Sequence, residues 1–188
     1  PGTRGVWSGA FPNQLLECAL VADGVAPDAL YPLDLNRAFA KIASIKSSLK
    51  FWGSGAESLS MMTSQEADMV MAWTGRGYAA IATQGAPYAL VPNDIFVLSD
   101  DLMVPKNAAD LKTAWTLVNY MLTPANQVEL AKLIPYSPSR TDAQIDANAP
   151  TAPYLVSNPA FKTIAVNQKW WAENAKPITD AWASNIQQ

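Results

Sequence analysis

Apolar and polar positions follow two different periods along the first hundred residues. Short apolar runs predict strands at residues 4–8, 49–52, 67–73, 88–91 and 95–98. Apolar positions at helical spacing predict helices opening at 11–13 and ending at 23–24, and over 35–47, 56–63 and 78–84. Strands that alternate with helices predict an α/β fold with a mostly parallel sheet and flanking helices.

The run at residues 67–73 is apolar at nearly every position. A run of this kind predicts a strand that is buried on both faces of its sheet. Asp34 precedes the apolar stripe of the helix at 35–47, where its carboxylate can accept a hydrogen bond from the first helical turn. We therefore expect Asp34 to be the N-cap of that helix.

The second half of the chain has mostly helical spacing. It predicts a helix from Asn107 or Asp110 to Leu122, a second at 124–133, a rigid loop at 134–138, mostly loop at 139–160, and terminal helices at 167–175 and 178–187. Extended backbone is also expected at 102–104. The helix that ends at Leu122 should turn one set of residues inward, namely Leu111, Ala114, Trp115, Val118 and Met121.

Composition excludes several classes of function. The chain has 188 residues, a net charge of −3, no histidine and one cysteine. Without histidine the usual general base and metal ligand are missing, and one cysteine allows no internal disulfide. No basic cluster, phosphate loop or metal-spaced cluster occurs. We therefore expect no nucleic-acid partner, no cofactor and no catalysis.

Three segments follow predicted strands, where ligands bind in open α/β sheets. Ser54 and Gly55 open a helix whose free N–H groups could meet a polar group, or Ser54 could be an ordinary N-cap. Trp73 ends the apolar run, and Arg76 could clamp a carboxylate or be a solvated helix residue. Asp100 could accept an ammonium group or lie in a surface turn.

The chain resembles the polyamine (spermidine/putrescine) type of ABC-transporter substrate-binding protein, a branch of the family 1 extracellular solute-binding proteins. The resemblance runs in order through LYPLDLNRAFAK (30–41), WGSGA (52–56), ADMVMAWTGR (67–76), LMVPK (102–106), NYMLTP (119–124), IPYSP (134–138) and WWAEN (170–174). It implies a type II periplasmic binding protein fold, in which two lobes enclose the ligand. It also implies a periplasmic location and an ABC-transporter permease as partner.

Within that fold the chain resembles the C-terminal part, so that the first lobe is expected to be largely missing. The expected division is a second-lobe α/β portion at 1–98, a crossover that returns towards the first lobe at 99–135, and a C-terminal loop and helices that pack back at 136–188. Residues 1–5 have no signal-peptide pattern, so that a stand-alone gene product would be cytoplasmic.

The resemblance also implies roles for single residues. Ser54 matches a hydroxyl that contacts the ligand, and Trp73 matches a tryptophan that stacks in the cleft. Asp100 matches an acid that receives an amino group, and Tyr136 matches a tyrosine at the edge of the cleft.

The chain departs from the polyamine pattern at three positions. Phe11 and Gln14 stand where polyamine binders carry two acids, and Leu98 stands where they carry a second cleft tryptophan. A polyamine carries several ammonium groups, which one remaining acid does not neutralise. These departures favour a ligand with a single ammonium group.

The expected ligand is a small amine or an ω-amino acid of the 4-aminobutyrate kind, with Asp100 on the ammonium, Arg76 on the carboxylate and Trp73 on the methylene chain. Putrescine or spermidine is the alternative within the class. The alternatives from other classes are a hydrolase that uses Ser54 or Ser99, and a stand-alone module that forms a homodimer through an uncovered apolar face.

Overall fold

A small parallel sheet forms the centre of the protein. The computed structural model describes residues 2–8 and 12–186. Its first sheet has the strand order β2-β1-β3, with β1 at Arg4–Trp7, β2 at Leu49–Trp52 and β3 at Met69–Val70. Two further strands, β4 at Ile95–Val97 and β5 at Thr163–Ala165, form a parallel pair. The predicted α/β fold with parallel strands is confirmed.

Helices connect and flank the strands of both sheets. The described residues contain α1 at Leu15–Ala22, α2 at Leu35–Ile45, α3 at Gly55–Thr63, α4 at Thr74–Tyr78, α5 at Leu111–Met121, α6 at Pro124–Leu133 and α7 at Gln168–Asn185. The prediction that Asp34 caps α2 is confirmed, since its carboxylate accepts a hydrogen bond from the backbone N–H of Arg37. Within the described part of the chain, no helix has the length and apolar character of a membrane span.

The strand predicted at 67–73 is shorter and less buried than its sequence indicates. Only Met69–Val70 pairs with β1, at one edge of the sheet, and Met69 is 46% exposed. Side chains alternate across a strand. Val70 packs against Met61 and Met62 of α3, whereas Met69 projects towards solvent from the opposite face. The prediction of burial on both faces is therefore wrong.

The prediction of a strand at 88–91 is wrong as well, since this segment is a loop. It lies between Pro87 and Pro92, neither of which can donate a hydrogen bond to a strand ladder. The hydroxyl of Tyr88 instead donates to the backbone carbonyl of Ala67 and fastens this loop beside β3. Residues 102–104 belong to no strand, and their extended backbone stays a prediction. The helix predicted at 78–84 begins earlier, at Thr74, and continues as a π-helical turn at Ala79–Thr83.

The C-terminal helix is continuous where two helices are predicted. Pro177 lies inside α7 without ending it. A proline interrupts a helix mainly by removing one N–H donor and by crowding the preceding turn. Ile178 and Trp182, which follow Pro177, are buried in the main core, and this burial offsets the local cost. Tertiary packing therefore overrides the local signal of the proline.

The main apolar core lies between α1, α2 and α7. It encloses a carboxyl group, because Glu17 of α1 is fully buried. Its Oε1 accepts hydrogen bonds from the Tyr31 hydroxyl at 2.5 Å and from the Trp171 indole at 2.6 Å. The hydroxyl of Tyr31 also accepts a hydrogen bond from the backbone N–H of Asn167. These contacts join the start of α7 to α1.

Helix α5 has an uncovered apolar side. Leu111 and Trp115 are each about half exposed, and none of the residues of α5 is buried. The prediction that this helix turns those residues inward is therefore wrong, because α5 packs mainly against α6. The expected uncovered apolar face is present.

Candidate functional site

Three tryptophans meet at the carboxyl edge of the three-stranded sheet. Trp7 and Trp52 are the last residues of β1 and β2, and Trp73 follows β3. The ring centroids lie 4.9 Å apart for Trp7 and Trp52, 5.4 Å for Trp7 and Trp73, and 5.5 Å for Trp52 and Trp73. Parallel strands bring their carboxyl ends to the same edge, where open α/β sheets bind ligands. We define these three residues as the tryptophan cluster.

Trp73 and Arg76 lie against the first residue of α3. Gly55 is buried, and a Cβ atom placed on it would lie 2.7 Å from Nε of Arg76 and 2.8 Å from Cζ3 of Trp73. Trp73 and Arg76, which follow β3, therefore contact Gly55, which opens α3 after β2. The structure thus brings Gly55, Trp73 and Arg76 together, although 18 or more positions separate Gly55 from the other two.

The guanidinium of Arg76 has an unused donor. Its Nε is buried and makes no hydrogen bond to the residues that the structure describes. A guanidinium carries five N–H donors, and two of them can bind a carboxylate side by side. A buried donor without an acceptor is costly in free energy. Arg76 is therefore a candidate to receive an anionic group from a ligand.

Tyr136 lies on the other side of α4. A Cβ atom placed on Gly75 would lie 3.0 Å from Oη of Tyr136 and 3.0 Å from Cγ1 of Ile134. The hydroxyl of Thr74 donates to the backbone carbonyl of Pro135 at 3.0 Å. These contacts hold the loop at residues 134–138 against the beginning of α4. The ring of Tyr136 is still 41% exposed and can contact a solute.

Two opposite charges act on the phenol of Tyr136. Burial raises the pKa of Tyr136 above its usual value, the positive charge of Arg76 lowers this pKa, and the negative charge of Asp100 raises it. The structure therefore places Arg76 and Asp100 within electrostatic reach of the same hydroxyl. A solute with a carboxylate at one end and an ammonium at the other has the matching pair of charges.

Asp100 is exposed, but the residue before it is firmly held. Ser99 donates its hydroxyl to Oε1 of Gln168 at 2.8 Å, and its carbonyl accepts from Nε2 of Gln168 at 2.6 Å. The backbone N–H of Ser99 donates to the same Oε1 at 3.3 Å. Gln168 is the first residue of α7, so the end of β4 is fixed to that helix.

Ser54 has a structural role that its sequence position also indicated. Its hydroxyl accepts from the backbone N–H of Glu57 at 3.2 Å and donates to Oε1 of Glu57 at 3.0 Å, while the N–H of Gly53 donates to Oε2. This reciprocal arrangement resembles a capping box, with the N–H of Gly53 in place of the N–H of the N-cap Ser54. The hydrogen bonds from Gly53 and Ser54 hold the pKa of Glu57 below its usual value. The carboxylate of Glu57 thus accepts from two donors that lie directly before α3. A ligand contact by Ser54 stays a prediction.

The structure describes two of the three positions that depart from the polyamine pattern. Phe11 lies outside the described residues. Gln14 stands directly before α1. Leu98 follows β4 and is partly exposed beside Ser99.

Trp7 and Glu17 are two residues that sequence reasoning missed. Trp7 belongs to the tryptophan cluster, and its position at the end of a predicted strand was a signal that could have identified it. The side chain of Glu17 fixes the start of α7, and nothing in its immediate sequence marks it as buried.

Residues 1–163 match the bacterial extracellular solute-binding proteins. The chain belongs to this family. It is 27% identical to the gamma-aminobutyric acid-binding protein of Pseudomonas aeruginosa over 98% of its own length and 54% of the length of that relative.

Solved structures agree with this assignment. The chain superimposes with a TM-score of 0.87 on an ABC transporter substrate-binding protein from Bradyrhizobium japonicum USDA 110, with 37% identity over 99% of this chain and 59% of that one. It superimposes with a TM-score of 0.85 on the Atu4243-GABA receptor, with 29% identity over 97% of this chain and 56% of that one. The fold is therefore that of a periplasmic binding protein, and the chain spans little more than half the length of these relatives.

Proposed function

We propose that the chain forms one wall of a solute-binding cleft that serves import by an ABC transporter, with a small ω-amino acid of the 4-aminobutyrate kind as its ligand. The observation that carries this proposal is the guanidinium of Arg76, whose buried Nε has no acceptor among the described residues and which lies beside Trp73. The periplasm is the proposed location, and a membrane permease is the proposed partner.

Each end of the ligand has a residue of matching chemistry. Arg76 binds the carboxylate through paired charge-assisted hydrogen bonds. Trp73 packs its flat ring against the methylene chain. Asp100 accepts the ammonium, and the exposed side chain of Tyr136 is under the influence of both charges. The similarity to a gamma-aminobutyric acid-binding protein and to a GABA receptor supports this choice of ligand.

A polyamine fits this wall less well. Putrescine and spermidine carry no carboxylate, so the guanidinium of Arg76 would face a like charge. The cost of placing two like charges together disfavours these ligands. The family consists of solute-binding proteins, so we propose binding without catalysis.

A titration of this chain by NMR tests the proposal. The ligands are 4-aminobutyrate, n-butylamine, which lacks only the carboxylate, and putrescine. One wall leaves half of the ligand in solvent. We therefore expect millimolar affinity, which corresponds to about 4 kcal/mol. The indole N–H signals of the tryptophan cluster report binding, and 4-aminobutyrate should bind more tightly than either amine.

The variant Arg76→Ala should remove this preference. A hydrogen bond to a charged group contributes about 1.5–3 kcal/mol, which corresponds to a loss of roughly tenfold or more in affinity for 4-aminobutyrate. Arg140→Ala is the matched control, because Arg140 is an exposed arginine that pairs with Asp142. A change of less than about threefold in Arg76→Ala, or under 1 kcal/mol, would overturn the proposal.

The uncovered apolar side of α5 favours a second candidate, a homodimerising interaction module. Leu111 and Trp115, which are four residues apart and share one face of that helix, are each about half exposed. Exposed apolar patches larger than a few hundred Å² mark interaction sites. Light scattering tests this alternative, which requires a dimer at micromolar concentration that Trp115→Glu disperses.

A further inference from the structure

Gly55, in the first turn of α3, has less room around it than Gly53 or Gly77. A Cβ atom on Gly55 would approach Nε of Arg76 to 2.7 Å and Cζ3 of Trp73 to 2.8 Å. Non-bonded carbon contacts have their optimum at roughly 3.5–4.0 Å. By contrast, a Cβ atom on Gly53 would meet its nearest neighbour at 3.9 Å, and one on Gly77 would meet nothing within 4 Å.

Helix α4 cannot move away from α3 to make room for a side chain at position 55. Gly75 of α4 is already pressed against Tyr136 and Ile134 on the opposite side, at 3.0 Å from a Cβ position. The hydroxyl of Thr74 also fixes α4 to the carbonyl of Pro135. Because α4 is held between α3 and the loop at 134–138, a methyl group at position 55 must displace the side chain of Arg76, that of Trp73, or both.

We propose that Gly55 is the position that determines whether this wall accepts a carboxylate. Its missing side chain leaves the space in which the guanidinium of Arg76 lies beside the ring of Trp73. Gly55 is a positioning residue, since it acts on the solute through Arg76. This inference rests on the proposed function of Arg76 and deepens it, because it assigns the selection of carboxylate-bearing solutes to a residue without a side chain.

The variant Gly55→Ala tests this role. Alanine normally favours a helix over glycine by about 1 kcal/mol, so the substitution should be harmless in a helix with free space. Here we expect the affinity for 4-aminobutyrate to fall at least about tenfold more than that for n-butylamine, because displacement of Trp73 weakens both ligands, whereas displacement of Arg76 weakens only the ligand with a carboxylate. The readout is the ratio of the two dissociation constants from NMR titrations.

Gly77→Ala is the matched control. It makes the same chemical change one residue after Arg76, where the added methyl group meets no atom within 4 Å. The ratio of the two dissociation constants should be unchanged in this variant. In the double variant Gly55→Ala/Arg76→Ala, the ratio of the two dissociation constants should equal that of Arg76→Ala alone, because both substitutions remove the same contact with the carboxylate.

The outcomes separate the two proposals. If the unaltered protein does not prefer 4-aminobutyrate over n-butylamine, the proposed function fails. If it does prefer 4-aminobutyrate and Gly55→Ala keeps that preference, the role of Gly55 fails and that of Arg76 stands. An additive change of the ratio in the double variant would likewise overturn the role of Gly55.

A measurement on the unaltered protein covers the case in which Gly55→Ala does not fold. The Nε–H signal of Arg76, assigned by its loss in Arg76→Lys, should show a nuclear Overhauser effect to the Hα protons of Gly55. It should shift on addition of 4-aminobutyrate and stay in place with n-butylamine. Absence of the effect to Gly55, or equal shifts with the two ligands, would overturn the inference.

Discussion

Removal of the buried carboxyl group of Glu17 should loosen the attachment of α7. In the variant Glu17→Ala, the Tyr31 hydroxyl and the Trp171 indole lose the oxygen to which they donate at 2.5 and 2.6 Å. Each donor lies in or beside the main core, and Trp171 is buried. The variant therefore leaves two polar groups without their acceptor and a small cavity between α1 and α7.

The magnitude follows from those two donors. An unsatisfied buried donor costs about 1–3 kcal/mol. Tyr31 is only partly buried, and its hydroxyl keeps the hydrogen bond from the N–H of Asn167, so its share lies at the low end. We expect the free energy of unfolding to fall by about 2–5 kcal/mol. In a domain of this size, that change lowers the midpoint of thermal unfolding by roughly 5–15 °C.

Urea unfolding followed by tryptophan fluorescence measures this change. Glu173→Ala is the matched control, because Glu173 is an exposed glutamate of α7, and surface substitutions usually change stability by within about 0.5 kcal/mol. Glu17→Gln retains an oxygen acceptor and should cost less than Glu17→Ala. If Glu17→Ala and Glu173→Ala unfold at the same urea concentration, the bonds of Glu17 do not hold α7.

Three further outcomes are expected from variants of single residues. Ser54→Ala should lower the free energy of unfolding by about 1 kcal/mol in urea, and Ser54→Asp should restore it, since both serine and aspartate cap helices well. The pKa of Glu57 is lowered in the folded state. The contribution of Glu57 to stability is therefore complete above its unfolded pKa and is lost as the pH falls through its folded pKa. The difference in the free energy of unfolding between the unaltered protein and Glu57→Gln should shrink in acid. Asp100→Asn should weaken 4-aminobutyrate and putrescine alike in NMR titrations, because both ligands present an ammonium group.

Local patterns in the sequence predicted those features of the fold that depend on residues close together in the chain. The helix start at Asp34 was identified from its side chain, and Asp110 was one of two positions predicted for the start of α5, because an N-cap bonds to its own first turn. The failures involve partners that are distant in sequence. The sequence predicts that Met69 is buried, but it lies on an edge strand and is exposed. Pro177 predicts the end of a helix, but α7 continues through it because Trp182 is buried in the core.

The same distinction applies to the candidate site. Trp73 and Arg76 could be selected because they follow a strand, where ligands bind in this class of fold. The contact of Arg76 with Gly55 could not be predicted, since it depends on how α4 packs on α3. The burial of Glu17 depends on Trp171, which is 154 positions further along the chain. A single sequence holds no record of such pairs.

The two charges of the wall are held by separate parts of the fold, and this separation bears on specificity. Arg76 depends on the packing of α4 against Gly55, whereas Asp100 follows Ser99, which Gln168 of α7 holds by both groups of its amide. Both charges nevertheless act on the phenol of Tyr136, and sites with a shared partner can show coupled effects. Under the proposed function, we therefore expect Gly55→Ala to lower the preference for a carboxylate more than the recognition of the ammonium, with any coupling between the two ends carried by Tyr136.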